Sequence, residues 1–260
     1  MSNTLSPSSD VFTDSVTQLA KTASKQRKLI FVGVAILVAL LAAYSVYATK
    51  RSSRIGAGKD ALFKARNTLE TEMSALSAAM KPPSAKPAKP ADPKNPTPPE
   101  PPFSLQGVKF DVGAKLPQSL SQLEAVAKDF EGVTPGFDAK MILGGLYLEH
   151  GSKAEDWAAA TRWFESAAST APTEMTVSAL LGLGYAQEAS GGCAEAVKTF
   201  EKALNYGNTI EQEDLLRSQA RCYETLNDPA KAKSVYERIV SLFPASESAR
   251  YAQNKITSLK

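Results

Sequence analysis

The sequence predicts an all-α chain, one transmembrane helix followed by an α-solenoid of helical hairpins, and three observations carry that reading. A pattern of small and aromatic residues returns three times between Phe137 and Pro244. Twenty residues without a charge run from Leu29 to Ala48. Ten of the sixteen prolines fall between Pro82 and Pro102, which leaves the remainder of the chain nearly free of helix breakers.

The recurring pattern reads Leu143-Gly144-x-x-Tyr147 with Ala160, Phe164, Ala167 and Pro172, then Leu181-Gly182-x-x-Tyr185 with Ala196, Phe200 and Ala203, then Tyr223 with Ala232, Tyr236, Ile239 and Pro244. The alanines 160, 196 and 232 step by 36 residues, as do Phe164, Phe200 and Tyr236, whereas Tyr147, Tyr185 and Tyr223 step by 38. Gly144 and Gly182 would cost a helix interior about 1 kcal/mol each against alanine, so the spacing implies that another helix approaches closely there. The alanines supply the second small surface, and the aromatics four residues later insert into the neighbouring pair. No such pair buries its apolar face alone, so the units must stack. These residue types at these offsets resemble the tetratricopeptide (TPR) family, whose unit of about 34 residues is a helix-turn-helix. Residues 137–244 are thus expected to hold three such units.

Residues 1–28 form a polar N-terminal tail in which Phe12, Val16, Leu19, Ala20 and Ala23 recur at helical spacing after Asp10, a pattern shared by interfacial helices and disordered tails. Residues 29–48 are long enough, at ~1.5 Å per residue, to cross a ~30 Å hydrocarbon core, with Tyr44 and Tyr47 at an interfacial position. A cleaved signal peptide would have a shorter apolar run. Four Lys/Arg lie in the eighteen residues before this helix and six in the eighteen after it. That count favours cytoplasmic repeats, a short basic tail before an apolar run favours the reverse, and charge alone leaves orientation open.

Residues 55–80 read as a helix, with Ala61, Leu62, Ala65, Leu69, Met73 and Leu76 on one side. The proline-rich stretch 81–102 is a linker or a looped insertion. Residues 103–136 are read as an irregular segment, with an extended piece at Val108 to Val112, followed by a helix from Pro117 to Phe130. The helices on either side of the proline run would pair as one split hairpin. Residues 245–260 read as a capping helix with Ala249, Ala252, Ile256 and Leu259 inward.

In this order the chain resembles the YfgM-type single-span periplasmic TPR proteins, an ancillary Sec translocon family. The resemblance rests on Asp14-Ser15-Val16, Val32-Gly33-Val34, the helix at Ala61 to Leu76 and Phe137 to Tyr147. It implies a short cytoplasmic N-terminus, an anchor in the inner (plasma) membrane, periplasmic repeats, and translocon subunits or exported polypeptides as partners. The last unit with Ser246-Glu247-Ser248-Ala249 also resembles envelope-assembly scaffolds of the Tol-Pal and outer-membrane assembly type. The proline run departs from the compact YfgM-type pattern.

Composition and motifs argue against catalysis. His150, the only histidine, sits beside Gly151 where a polar helix cap is expected, and no triad, metal cluster or cofactor site can be built on it. Glycines 144, 145, 182 and 184 suit helix packing, since no Gly-Lys-Ser/Thr follows them. The net charge is +3 with no basic cluster interleaved with aromatics, which excludes a nucleic-acid reader. Cys193 and Cys222 lie near loop ends of neighbouring units, as two packed thiols or as a disulfide.

What remains is a recognition surface. Alignment on the three tyrosines transfers the TPR family's groove positions to Asp138, Met141, Leu148 and Glu149, to Thr176, Ala179, Leu183 and Gln187, and to Asp214, Arg217, Arg221 and Glu224. Leu183 is expected to be exposed there. Arg217 and Arg221 would meet an acidic or C-terminal group, or pair with Asp214 and Glu224 on their own helix.

Overall fold

A computed structural model describes residues 27–81, 104–207 and 210–259, with side chains from residue 31 onward. The tail pattern at 12–23 and nearly all of the proline run lie outside the described residues. The described elements are α1 Arg27–Met80, α2 Val112–Lys115, α3 Pro117–Asp129, α4 Thr134–His150, α5 Ala154–Thr170, a 3-10 turn Thr173–Met175, α6 Thr176–Ala189, α7 Cys193–Leu204, α8 Gln212–Thr225, α9 Pro229–Leu242 and α10 Glu247–Ser258. No strand occurs among them, so the extended piece expected at 108–112 is irregular backbone running into α2. The chain divides at Ser53 into two units.

In the first unit, α1 is long and apolar enough to cross a membrane, and its side chains from Phe31 to Ser53 are exposed. The helices expected at 29–48 and 55–80 are a single element. Thr49 to Arg54 contain no proline, and lysine and arginine are good helix formers, so a charged stretch changes the environment of a helix without ending it.

In the second unit, Leu62, Ala65 and Leu76 of α1 share a core with Leu120, Leu123 and Val126 of α3 and Leu143 and Leu146 of α4. Gly58 permits this approach, because a Cβ there would stand 2.9 Å from both Phe130 and Pro135. The first turn of α3 has no side-chain cap of its own. Glu72 of α1 supplies one, accepting from the backbone N–H of Gln118 (3.2 Å) and Ser119 (3.0 Å) and from the Ser119 hydroxyl. A carboxylate at a helix N-terminus satisfies amides that otherwise lack partners.

His150 is a structural residue but not the expected cap. It is buried, its ring stacks on Phe110 at 4.8 Å, Nδ1 lies 3.0 Å from the Val108 carbonyl, and the Phe110 N–H donates to the His150 carbonyl at 2.9 Å. Lys109 donates to the carbonyls of Leu148 and Glu149, so the irregular segment 108–110 is latched to the last turn of α4.

From α4 onward the helices stack as successive antiparallel pairs, α4 with α5, α6 with α7, α8 with α9, and α10 closes the end. Phe164 lies between two pairs: a Cβ on Gly144 would stand 2.9 Å from its ring and one on Gly182 2.4 Å. Gly184 plays the same part for Phe200, at 2.1 Å, while a Cβ on Gly145 would meet nothing within 4 Å, so that glycine is not a packing residue. Ala160, Ala196 and Ala232 are fully buried. Ala249 and Ala252 of α10 are buried and Ile256 and Leu259 pack against the same core.

The turns define the register of the stack. Gly191 and Asn227 both have positive φ, 81° and 55°, at the ends of α6 and α8. The Gly191 and Asn227 N–H groups donate to Glu188 and Glu224, and those of Gly192 and Asp228 to Gln187 and Tyr223. Each pair of equivalents is 36 residues apart. Asp228 then caps α9, accepting from the Lys231 N–H at 3.1 Å. That hydrogen bond, and then the Lys231 ammonium, hold its carboxyl below the usual carboxylate range. A depressed folded-state value means the stabilisation is present above the unfolded value and is lost as pH falls through the folded one. Asp228→Ala should therefore lower Tm by roughly 2–4 °C at neutral pH, the gap from the parent closing below about pH 4. A gap independent of pH would mean that the carboxylate is not the cap.

Candidate protein-binding face

The candidate face is built from the first helix of each pair, and its residues follow from the 36-residue register. Tyr223 is equivalent to Gln187 by its turn hydrogen bond, not to Tyr185. The tyrosine alignment therefore misplaces α6 by two residues, and two residues at ~100° each carry a side chain to the opposite side of a helix. The correction is visible in burial. Thr176, Ala179 and Leu183 are buried, and Leu183, at 8% exposure, belongs to the core with Val177, Leu180 and Phe200, so none of the three lines an open groove. Shifting Asp214, Arg217, Arg221 and Glu224 back by 36 gives Ser178, Leu181, Tyr185 and Glu188, all half-buried.

The other expected groove residues are scattered in role. Asp138 is half-buried near Arg66 of α1, and burial raises its carboxyl despite that charge. Met141 and Leu148 are half-buried and pack against the core, while Glu149 is exposed. Gln187 accepts from the Thr199 hydroxyl at 2.7 Å and is thus tied to α7. Glu224 accepts from the Tyr236 hydroxyl at 3.1 Å and from Lys255 at 2.8 Å, fastening α10 to the preceding pair.

Arg217 and Arg221 do come together. With Tyr236, Glu247, Ser248, Arg250, Tyr251 and Asn254 they line a pocket of about 550 Å³ between α8 and α10. Arg217 pairs with Asp214 at 2.6 Å on its own helix, as one of the two expectations had it. Arg221 does not pair with Glu224. It reaches back to Glu188 of α6 through Nε and, at 2.6 Å, through Nη2, a two-pronged contact between neighbouring hairpins that holds the guanidinium yet more firmly protonated. Arg250 pairs with Glu247 at 3.2 Å, and both side chains are largely exposed. Tyr251 is 48% exposed and meets Tyr236 edge-on with ring centres 6.1 Å apart.

Residues 215–246, covering most of α8 and all of α9, match the family described as tetratricopeptide repeat. The third hairpin is thus similar to a tetratricopeptide repeat. No curated protein matches the chain. The matched TPR unit is also the one with the shortest spacing from its tyrosine to its alanine, nine residues from Tyr223 to Ala232 against eleven from Tyr185 to Ala196. Around it the helices from α4 onward form a TPR-like solenoid.

Chemically the pocket offers planar guanidinium forks and an amphipathic ring. Exposed ion pairs such as Arg250–Glu247 contribute little, about 0–1 kcal/mol, so an incoming carboxylate exchanges with their partners at small cost. The residues that sequence reasoning missed, Glu188, Arg250, Tyr251 and Asn254, carry no motif. The last three read simply as the polar side of a capping helix.

Proposed function

We propose that this chain is a membrane-tethered TPR scaffold that binds protein segments on the face running from Tyr185 and Glu188 through Arg217 and Arg221 to Arg250 and Tyr251. The observation that carries the reading is the arginine- and tyrosine-lined pocket between α8 and α10, on a repeat type whose role is protein binding. The packing of the 54–80 part of α1 with α3 supports a further, split hairpin at the start of the stack. Resemblance to the YfgM-type proteins supports an anchor in the inner membrane, repeats in the periplasm, and translocon subunits with exported polypeptides as partners.

Two measurements test this. An alkaline phosphatase fused after Lys260 should be active; an inactive fusion beside an active cytoplasmic reporter refutes the periplasmic placement. A photo-crosslinking residue at Tyr251 should give adducts with translocon subunits or exported chains, and one at the exposed Lys202 of α7 should not. Equal adducts from both positions, or none from Tyr251, would remove the binding face from the proposal.

A further inference from the structure

The two cysteines are not independent core residues. Cys193 is the first residue of α7 and Cys222 lies in the last turn of α8, on neighbouring hairpins. Both are unbridged and buried, at 3% and 0% exposure, within one core cluster. α7 and α8 pack against each other, and burial, then the adjoining Cys193 side chain, push the Cys222 thiol up. Val197, Phe200 and Ala220 belong to the same core cluster, and Cys222 follows directly on Arg221, whose partner Glu188 comes from α6. Cys222 thus adjoins the Arg221–Glu188 ion pair that joins the second hairpin to the third.

We propose that Cys193 and Cys222 are a redox pair that exchanges with a small-molecule disulfide to form an intramolecular bridge between the second and third hairpins. Burial pushes the Cys222 thiol well up, so Cys222 is the resolving sulfur and Cys193, the first residue of α7, the attacking one. In the first step the Cys193 sulfur bonds to one sulfur of the incoming disulfide RS–SR, breaking its S–S bond and releasing one thiolate, which takes up the proton that Cys193 gave up. In the second step Cys222 loses its proton and attacks the Cys193 sulfur, and the second RSH departs. One disulfide is reduced to two thiols and one protein dithiol is oxidised to one disulfide.

The bridge would close a loop of 222 − 193 = 29 residues that contains α7 and most of α8. Cross-linking a loop of that size restricts the unfolded chain, and in a stack whose neighbours are otherwise joined by packing, hydrogen bonds and an ion pair it ties the two units covalently. It also fixes the spacing between Glu188 and Arg221, and hence the floor of the face between α6 and α8. In an oxidising compartment the bridged form is favoured, and in a glutathione-rich one the dithiol.

The test uses the full chain in detergent micelles, incubated with a graded series of oxidised and reduced glutathione until the thiol titre is constant, so that burial affects only the time taken. Samples are acid-quenched, denatured, alkylated and weighed. The expected result is a transition from two alkylated cysteines to none, with no glutathione retained and no cross-linked dimer. Tm should rise by about 5–10 °C on oxidation and return on reduction. Cys193→Ser and Cys222→Ser should each show no redox-dependent Tm. Two alkylatable thiols throughout, a retained glutathione adduct, or a bridge only between chains would overturn the proposal. No partner protein enters the assay, so its failure is distinct from failure of the binding-face reading.

Discussion

Phe164→Ala is expected to cost about 3–5 kcal/mol of stability, toward the upper end of what removing a core aromatic usually does. The reason is what surrounds the ring. Gly144 and Gly182 present bare backbone to it from two successive hairpins, with would-be Cβ positions 2.9 and 2.4 Å away, so on those two sides the void is lined by helix backbone. Cavity cost depends on how well a site can collapse, and helix backbones do not collapse. The loss should also spread, because each hairpin owes its order to its neighbours. Thermal unfolding of the full chain should show Tm lowered by roughly 6–20 °C. Phe164→Leu, which keeps most of the volume, should lie between parent and alanine variant. A Phe164→Ala protein melting within a degree or two of the parent would show that the ring does not join the two hairpins.

Leu183→Glu should be nearly as damaging, by about 3–5 kcal/mol, since it removes a core side chain and places a carboxylate in an apolar site without a partner. Leu183 is 8% exposed and packed with Val177, Leu180 and Phe200. The same change at Leu181, two residues earlier and half-buried, should cost only a fraction as much. Leu183→Met, which conserves volume, should cost less than ~1.5 kcal/mol. Denaturant midpoints for the three variants decide the register of α6. If the Leu183 and Leu181 variants exchange their order, the face toward partners is the one that the tyrosine alignment selects.

That contrast shows where the sequence is legible. Ala160, Ala196 and Ala232 with Phe164, Phe200 and Tyr236 announce the stack, because contact between helices constrains size at fixed intervals and size is written in the sequence. The proposed binding face follows a different rule. Its register is set at the turns, where Gly191 and Asn227 adopt left-handed backbone 36 residues apart, while the more conspicuous tyrosines step by 38. Following the tyrosines turns α6 through about 200°, enough to exchange core for surface. Glu72 capping α3, His150 holding Val108, and Arg221 reaching Glu188 are each contacts over 33 or more residues with no local spacing to betray them. The joining of two expected helices into α1 has the opposite cause: hydropathy changes at Lys50 and Arg51, but helix propensity does not.

The latch at the end of α4 also bears on how freely the length of this protein can vary. Met80 ends α1, and the chain is back in the core by Leu105, with Phe110, Val112 and Leu116 buried behind it. Glu72 holds the start of α3 from one side and His150 holds Val108 and Phe110 from the other, so both anchor points are fixed by contacts that do not involve residues 82–103. Doubling such a connection adds only about 0.6 kcal/mol of closure entropy. Between Met80 and Leu105, therefore, insertion, deletion or a grafted reporter is expected to leave the solenoid's own architecture untouched, and related chains to diverge in length without diverging in fold.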